Sequence, residues 1–304
     1  MGAAAVAVKA VVDKKVRRVN LTILRKAAVG YKKAAATAHP WKLEYRAPYD
    51  WDAFLGFVGP RAIPGIECVE GVAYKRAGMV VTHSVAGKCL QVVAGGERDL
   101  GAVMGRAAIF FDVDANPREI GRHLSKSAVL KKMVARHPGL RVPGAWDGFE
   151  LAVRAMLGQQ VTVKGATTLA GRLVARFGAP KPEILADAEL TVIGIPKARA
   201  ESIRAFARAV ADGYIRLDGP LDGARSSAET IERMCELPGI GPWTANYIAM
   251  RALGDGDAFP ASDLGLLKAA GIVPARRLME MAEAWRPWRA YAAMHLWESL
   301  RERN

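Results

Sequence analysis

The segment that most constrains the fold of this 304-residue chain runs from residue 237 to residue 263. Its first part, Leu237-Pro-Gly-Ile-Gly-Pro-Trp-Thr-Ala245, joins two stretches with helical periodicity, and the second stretch leads through a short loop to a single acid, Asp263. The two glycines admit backbone dihedrals that other residues avoid, and a proline suits the first position of the second helix. The segment therefore predicts a helical hairpin whose backbone N–H groups would bind an anion beside a carboxylate.

The Gly-x-Gly turn alone leaves two interpretations open. Such glycines expose backbone N–H groups to an anion, but they also allow two helices to pack closely with no ligand at all. The flanking pattern is clearer. Ser226 and Glu229 predict a capping box at the start of the first helix, and Ile231, Met234 and Leu237 give that helix an apolar face.

The whole string is more specific than the turn. Together with Phe259-Pro-Ala-Ser and Asp263-Leu-Gly-Leu, it resembles the helix-hairpin-helix motif and catalytic aspartate of the HhH-GPD superfamily of DNA glycosylases. Three further segments resemble one branch, the AlkA type of DNA-3-methyladenine glycosylase II. They are Tyr49-Asp-Trp51 with Leu55-Gly-Phe57, Phe149-Glu-Leu-Ala-Val-Arg-Ala-Met-Leu-Gly-Gln-Gln160, and Trp285-Arg-Pro-Trp-Arg-Ala-Tyr291 with His295-Leu-Trp297.

Short segments predict a small antiparallel sheet, and longer periodic segments predict helices after it. Strands are predicted over residues 71–76, 79–84 and 89–94, with hairpin turns at Ala77-Gly78 and Ala86-Gly87. Asp147 and Glu150 predict a capping box at the start of a helix. Further helices are predicted over residues 197–210, 227–237, 242–253, 264–270 and 275–301, the last with a break at Pro287.

These patterns and the resemblance predict an α+β fold in three parts. Residues 1–42 form a basic N-terminal arm, residues 43–115 a small antiparallel α+β domain, and residues 116–304 an all-α helix-hairpin-helix glycosylase body in two lobes. No apolar stretch approaches the roughly 20 uncharged residues that cross a bilayer. The sequence therefore predicts no membrane partner.

The net charge of +14 favours a polyanionic partner, and nucleic acid before a membrane surface. The arm contributes most of this charge, with ten basic side chains against Asp13 alone. A DNA-contacting arm, a disordered or partly helical tail and a start codon assigned too far upstream all fit this composition, as does a transit peptide. A signal peptide fits poorly, because the basic residues follow the short apolar run.

The cysteines and histidines predict no metal site on side chains and no cofactor. Cys68, Cys89 and Cys235 lack the Cys-x-x-Cys spacing of zinc sites, and the five histidines show no metal-ligand spacing. Some glycosylases of the superfamily carry an iron–sulfur cluster near the C-terminus, but no cysteine follows Cys235 here. The resemblance implies only a structural or DNA-bridging monovalent cation, held in the hairpin by backbone carbonyls.

The resemblance assigns the catalytic role to Asp263, whose carboxylate would stabilise positive charge at the anomeric carbon and activate the attacking water. Taken alone, an acid at this position also fits a helix N-cap. Some members of the branch carry a second acid immediately before the catalytic one, where this chain has Ser262.

Three aromatic residues, Trp297, Tyr247 and Trp243, are assigned to the base pocket. Electron-rich rings attract a cationic alkylpurine by about 0.5–2 kcal/mol, although isolated aromatics at helical spacing also fit a core. Trp243 stands where bifunctional relatives carry a nucleophilic lysine. Because an indole forms no Schiff base, the sequence predicts a monofunctional enzyme.

The resemblance also implies two kinds of DNA contact. The hairpin residues that would bind the DNA backbone are Leu237, Gly239, Ile240, Gly241 and Thr244. Gln160 would be the wedge that fills the gap left by the flipped base, where a leucine is common in the family. The alternative for Gln160 is an exposed polar helix end.

The predicted function is that of a monofunctional glycosylase in base excision repair. It would flip purines of the 3-methyladenine and 7-methylguanine type out of double-stranded DNA and hydrolyse their N-glycosidic bond, acting as a monomer. The location would be the cytoplasm, at the nucleoid, in a bacterium, or the nucleus or an organelle in a eukaryote. The alternatives are a glycosylase for oxidised or deaminated bases and a non-catalytic helix-hairpin-helix DNA-binding protein.

Overall fold

The computed structural model describes residues 40–95, 100–217 and 227–303. Residues 1–39 of the predicted basic arm and the predicted cap at Ser226 lie outside these residues, whereas Trp41 and Lys42, at the end of the predicted arm, are part of a strand. The described strands are β1 (Trp41–Glu44), β2 (Glu67–Glu70), β3 (Ala73–Arg76), β4 (Met79–Ser84) and β5 (Cys89–Ala94). Across the described ranges, no helix has the length and apolar character needed to span a membrane.

The strands form one antiparallel sheet in the order β1-β5-β4-β3-β2. The three predicted strands are confirmed as β3, β4 and β5. Ala77 and Gly78 both have positive φ, at 42° and 80°, as the tight hairpin between β3 and β4 requires. In the β4–β5 turn the positive φ falls on Lys88, just after the predicted Ala86-Gly87 pair. Strands β1 and β2 are not predicted, because neither adjoins the two hairpin turns that mark the other three strands.

One face of the sheet is buried under helix α1 (Trp51–Val58) and the end of helix α2 (Leu100–Phe110). Tyr74 of β3 is fully buried, and its ring centroid lies 4.9 Å from that of Phe110. Phe110 in turn packs edge-on against Phe54 of α1 at 5.8 Å. These aromatic contacts form the core of the sheet domain.

The remaining helices form the body that the sequence predicts. They are α3 (Pro117–Leu124), α4 (Ala128–Arg136), α5 (Gly148–Leu157), α6 (Val163–Phe177), α7 (Pro182–Leu185), α8 (Lys197–Ala211), α9 (Ser227–Cys235), α10 (Pro242–Ala252), α11 (Leu264–Ala270), α12 (Ala275–Ala282) and α13 (Arg289–Arg301). The predicted break at Pro287 is confirmed, because α12 and α13 are separate helices. Helix α10 packs on α5, and α11 packs on α13.

The start of α5 confirms half of the predicted capping box. The Asp147 side chain accepts the backbone N–H of Glu150 at 2.9 Å, as an N-cap should. The Glu150 carboxylate does not return the bond to Asp147. It binds both guanidinium nitrogens of Arg76 on β3, at 2.9 and 2.8 Å, because a bidentate charged pair is a stronger interaction than a backbone N–H bond. This buried pair joins the sheet domain to the helical body.

Candidate active site

A cavity of about 990 Å³ lies where β3, α1, α5, α10, α11 and α13 meet. Its wall contains the predicted catalytic acid, the three predicted pocket aromatics, one hairpin glycine and the predicted wedge. These residues are Asp263, Trp243, Tyr247, Trp297, Gly239 and Gln160. The fold therefore gathers at one cavity most of the residues to which the sequence assigns chemistry.

Asp263 occupies the N-cap position of α11 and also faces the cavity. Its Oδ1 accepts the backbone N–H of Leu266 at 3.0 Å and the indole N–H of Trp297 at 2.9 Å. Its Oδ2 accepts the indole N–H of Trp243 at 2.9 Å. Since each carboxylate oxygen offers about two lone pairs, Oδ1 is saturated and Oδ2 keeps one lone pair for another partner.

Gly265 allows the carboxylate to sit this close to α11 and α13. A Cβ at residue 265 would lie 2.9 Å from Oδ1 of Asp263 and 3.3 Å from Cδ1 of Trp297. The first distance is shorter than real side-chain contacts, so any larger residue would displace the carboxylate or the indole. The role of Gly265 is not predicted from the sequence, although this glycine belongs to the Asp263-Leu-Gly-Leu string.

The pocket aromatics form one continuous wall beside the carboxylate. The rings of Trp243 and Tyr247 stack with centroids 5.6 Å apart and an interplanar angle of 9°. Trp297 meets Tyr247 edge-on at 6.2 Å and lies 5.9 Å from Phe57. The hydrogen bonds from the two indoles to Asp263 are not predicted from the sequence, because no spacing rule relates side chains on three different elements.

The hairpin between α9 and α10 has one glycine with a special conformation. Gly239 has φ of 77°, and a Cβ there would lie 2.2 Å from Oγ of Ser202. The expectation that Gly241 also needs forbidden dihedrals is wrong, since its φ is −96° and its ψ 175°. A Cβ on Gly241 would meet open space, so this glycine leaves the start of α10 uncovered.

The other hairpin residues point into the protein. Ile240 is buried, and Leu237 is partly buried against the core. Thr244 is only 2% exposed, and its hydroxyl accepts a hydrogen bond from Nε2 of Gln159 at 3.0 Å. The same amide donates to the Gly239 carbonyl at 2.9 Å. Gln159, which sequence analysis does not single out, thus connects the wedge turn to the hairpin.

Gln160 lies in the turn after α5, three residues beyond the end of that helix. The alternative interpretation of Gln160 as a helix end is wrong, because the helix ends at Leu157. Gln160 has φ of 58°, in the left-handed region, and its side chain is exposed at the cavity. A left-handed non-glycine residue beside a cavity is typical of functional sites.

Besides Arg76, which pairs with Glu150, three arginines line the cavity: Arg61, Arg154 and Arg251. The sequence predicts no role for them. Arg251 donates through Nη1 to the hydroxyl of Tyr247 at 2.8 Å. Burial of the Tyr247 hydroxyl acts to raise its pKa, but the positive charges of Arg251, Arg61 and Arg154 outweigh burial and lower it.

The remaining predicted positions are placed as follows. Ser262 is exposed and lines the cavity beside Asp263, whereas Lys268 is exposed and does not line it. No lysine among the described residues reaches the cavity wall. Within residues 40–95, 100–217 and 227–303, no three His, Cys, Asp or Glu side chains are grouped to hold a metal ion.

Two family models match the chain in succession. The AlkA N-terminal domain matches residues 40–147, and the HhH-GPD superfamily base excision DNA repair protein matches residues 153–289. The first match covers the sheet, including the strand that carries Arg76, and helices α1 to α4. The second covers the wedge turn, the hairpin and Asp263.

Solved structures share this fold. The 3-methyladenine DNA-glycosylase from Archaeoglobus fulgidus aligns with a TM-score of 0.71 at 22% identity, over 86% of this chain and 98% of that one. The 8-oxoguanine glycosylase/lyase of Clostridium acetobutylicum, solved with double-stranded DNA, aligns with a TM-score of 0.66 at 16% identity, over 79% of this chain and 88% of that one.

Other relatives have higher sequence identity to this chain than these two structures do. The probable bifunctional transcriptional activator/DNA repair enzyme AlkA of Mycobacterium tuberculosis is 39% identical over 92% of this chain, which spans only 61% of that relative's length. DNA-3-methyladenine glycosylase 2 of Escherichia coli is 33% identical over 84% of this chain and 96% of its own length. The chain therefore belongs to the AlkA-type DNA-3-methyladenine glycosylase family of the HhH-GPD superfamily.

Proposed function

We propose that this chain is a monofunctional DNA glycosylase that removes alkylated purines from duplex DNA. The observation that supports the proposal most is the Asp263 carboxylate, held in the cavity wall by its own helix terminus and by the indoles of Trp243 and Trp297. A plain N-cap needs neither indole. Two extra donors on one carboxylate are the kind of support that fixes a reacting group in place.

The chemistry follows from this arrangement. Breaking an N-glycosidic bond leaves positive charge on the anomeric carbon and ring oxygen of the sugar, which a nearby carboxylate stabilises. The free lone pair of Oδ2 would accept a proton from the attacking water. Because the three donors to Asp263 are neutral N–H groups, they orient the carboxylate without pairing its charge.

The aromatic wall supports an alkylated purine as the base that is removed. Rings of Trp297, Tyr247 and Trp243 offer faces and edges on which a flipped purine would stack, and their electron density attracts a cationic base. The names of the Escherichia coli and Archaeoglobus fulgidus relatives describe 3-methyladenine glycosylases.

Duplex DNA is the proposed partner, bound by a single copy of the chain. The uncovered start of α10 would take a phosphate on its N–H groups, and Gln160 would enter the base stack from the cavity rim. The basic arm would add non-specific phosphate contacts. The carbonyls of Leu237 and Gly239 each accept one hydrogen bond, so each keeps a lone pair for a monovalent cation that bridges to DNA.

The attacking group in this proposal is water. Schiff-base chemistry needs an amine beside the anomeric carbon, and Trp243 occupies the place where bifunctional relatives carry it. Lys268, the lysine nearest to Asp263 in sequence, is exposed on α11 away from the cavity wall. The product would be an intact strand with an abasic site.

An excision assay with end-labelled duplexes tests the proposal. Each duplex carries one 7-methylguanine, uracil or 8-oxoguanine, and both the free base and the labelled strand are measured. We expect 7-methylguanine to be released, the strand to stay full-length until alkali is added, and borohydride to trap no adduct. Release of uracil or 8-oxoguanine alone would support the rival enzyme, and binding without any release would support the non-catalytic protein. A trapped adduct that forms as fast as the base is released would contradict monofunctional chemistry.

A further inference from the structure

Three arginines in the cavity wall have no part in the mechanism above, and we call them the arginine cluster: Arg61, Arg154 and Arg251. The guanidinium carbons of Arg61 and Arg251 lie 4.0 and 5.2 Å from the ring centroid of Phe57. Arg154 donates through Nε to the backbone carbonyl of Arg61 at 3.3 Å. The three cations are therefore neighbours within one wall.

No member of the arginine cluster forms an ion pair with a described residue. Their hydrogen bonds go to backbone carbonyls and to the hydroxyls of Thr167 and Tyr247. The acids of the cavity are engaged elsewhere: Glu67 and Glu150 bind Arg76, Asp147 caps α5, and Asp263 binds the two indoles. None of these carboxylates forms an ion pair with the arginine cluster.

Unpaired cations packed together are costly, and such a group at a cavity is typical of a site for a negative ligand. A DNA phosphate is a poor candidate, because Arg251 is only 6% exposed and its Nε and Nη2 are held by the carbonyls of Pro143 and Gly144. Within a cavity that receives the flipped base, the group that becomes negative during the reaction is the base itself.

We propose that the arginine cluster and Tyr247 form a leaving-group site that stabilises negative charge on the departing base. The inference rests on the proposed glycosylase function. It adds a second electrostatic role to that of Asp263, which acts on the sugar.

The electron balance makes the effect depend on the charge of the base. When the bond from the anomeric carbon to the base nitrogen breaks, both electrons leave with the base. The water oxygen then bonds to the carbon. The proton that water loses ends on the base when the base leaves as an anion, and passes to solvent when the base leaves as a neutral molecule. A neutral base such as hypoxanthine thus leaves as an anion before it is protonated, whereas cationic 7-methylguanine leaves as a neutral molecule. The arginine cluster stabilises the first departure and not the second.

Tyr247 extends the site toward the aromatic wall. Its oxygen accepts the Nη1–H of Arg251 at 2.8 Å, so its own O–H proton is available to another acceptor. The positive charges around it overcome the effect of burial and lower its pKa. A more acidic hydroxyl donates a stronger hydrogen bond to an anionic base.

The test is single-turnover excision of hypoxanthine and of 7-methylguanine from otherwise identical duplexes by Arg61→Gln and Arg154→Gln. Each rate is divided by the wild-type rate on the same base. Losing one charged hydrogen bond should slow hypoxanthine release by about 10- to 100-fold and leave 7-methylguanine release within about threefold. Arg172→Gln is the matched control, because Arg172 also donates to a backbone carbonyl without an ion pair but lies outside the cavity.

Each outcome decides between roles. Equal slowing of both bases, or slowing that follows a lower melting temperature, would show that the arginines only support the fold. A weaker DNA affinity with unchanged single-turnover rates would assign them to phosphates. Wild-type release of 7-methylguanine without any release of hypoxanthine would overturn the leaving-group site and leave the proposed function intact, whereas release of neither base would contradict the proposed function itself.

Discussion

At the scale of single residues, the Asp263 carboxylate is defined by the kind of donor that surrounds it. An arginine at the same distance would orient the group but would also pair its charge. The indoles of Trp243 and Trp297 orient it with neutral N–H bonds at 2.9 Å, so the full negative charge stays available to the sugar cation. The two tryptophans thus combine a stacking face with a positioning donor.

Replacing either tryptophan with phenylalanine separates these two roles. Trp297→Phe and Trp243→Phe keep an aromatic ring and lose the donor to Asp263. We expect single-turnover excision of 7-methylguanine to slow by about 10-fold, since a hydrogen bond to a charged group contributes about 1.5–3 kcal/mol, with little change in DNA affinity. Trp288→Phe, on a tryptophan with no bond to Asp263, is the control. If the loss appears in affinity and not in rate, the indoles act only as stacking surfaces.

At the scale of elements, the two glycines of the hairpin have different structural roles. Gly239 is required by its positive φ and by contact with Ser202. Gly241 has an ordinary extended conformation and free space around its Cβ position. Its role is therefore to leave the start of α10 open to a ligand. The sequence predicts the same role for both glycines. A Gly-x-Gly string does not show whether a glycine is needed for its backbone dihedrals or for the free space beside it.

Alanine at each glycine should therefore give opposite results. Gly239→Ala should lower the free energy of unfolding by about 1–3 kcal/mol, because alanine is strained at positive φ and would clash with Ser202. Gly241→Ala should leave the unfolding free energy within about 0.5 kcal/mol and weaken binding to undamaged duplex DNA. Denaturant unfolding and fluorescence anisotropy measure the two effects. Unchanged DNA binding by Gly241→Ala would exclude a phosphate at the start of α10.

The same scale shows what the sequence could predict and what it could not. Helices and the main strands follow from local periodicity, and Asp263 with the hairpin follows from one contiguous string. Glu150 is missed as the partner of Arg76, because a capping box and a long-range ion pair place the same residue type at the same position. The arginine cluster is missed for a related reason: its members come from three distant segments and meet only in the folded cavity.

At the scale of the whole molecule, the C-terminal helix α13 links the site to the sheet domain. It carries Trp297 at the cavity, and two residues earlier His295 is buried with its Nδ1 atom unpaired. Burial, and to a smaller degree the charge of His137, lower the pKa of His295 to about 3, and Asp50 opposes them. Folding therefore requires neutral His295.

This linkage predicts the acid sensitivity of the fold. Below pH 6.5 the unfolded chain binds a proton on His295 that the folded chain rejects until pH approaches 3. The free energy of unfolding should thus fall by about 1.4 kcal/mol for each pH unit below 6.5 on account of this group. His295→Leu removes this proton-binding group. The free energy of unfolding of the variant relative to wild type should therefore rise steadily as the pH falls from 6 to 4.5, and should stay constant above pH 7.5. A difference that does not vary with pH would contradict the assignment.

The measurement that tests the account most directly is single-turnover excision by Asp263→Asn, with DNA affinity and melting temperature measured on the same preparation. Asparagine keeps the size of the side chain and removes the charge that would stabilise the sugar cation. We predict that release of 7-methylguanine falls by at least about 1000-fold while binding to the damaged duplex is retained. Ser262→Ala, at the neighbouring exposed position, is the control. Excision by a folded Asp263→Asn within tenfold of wild type would contradict the central claim that this carboxylate drives the reaction.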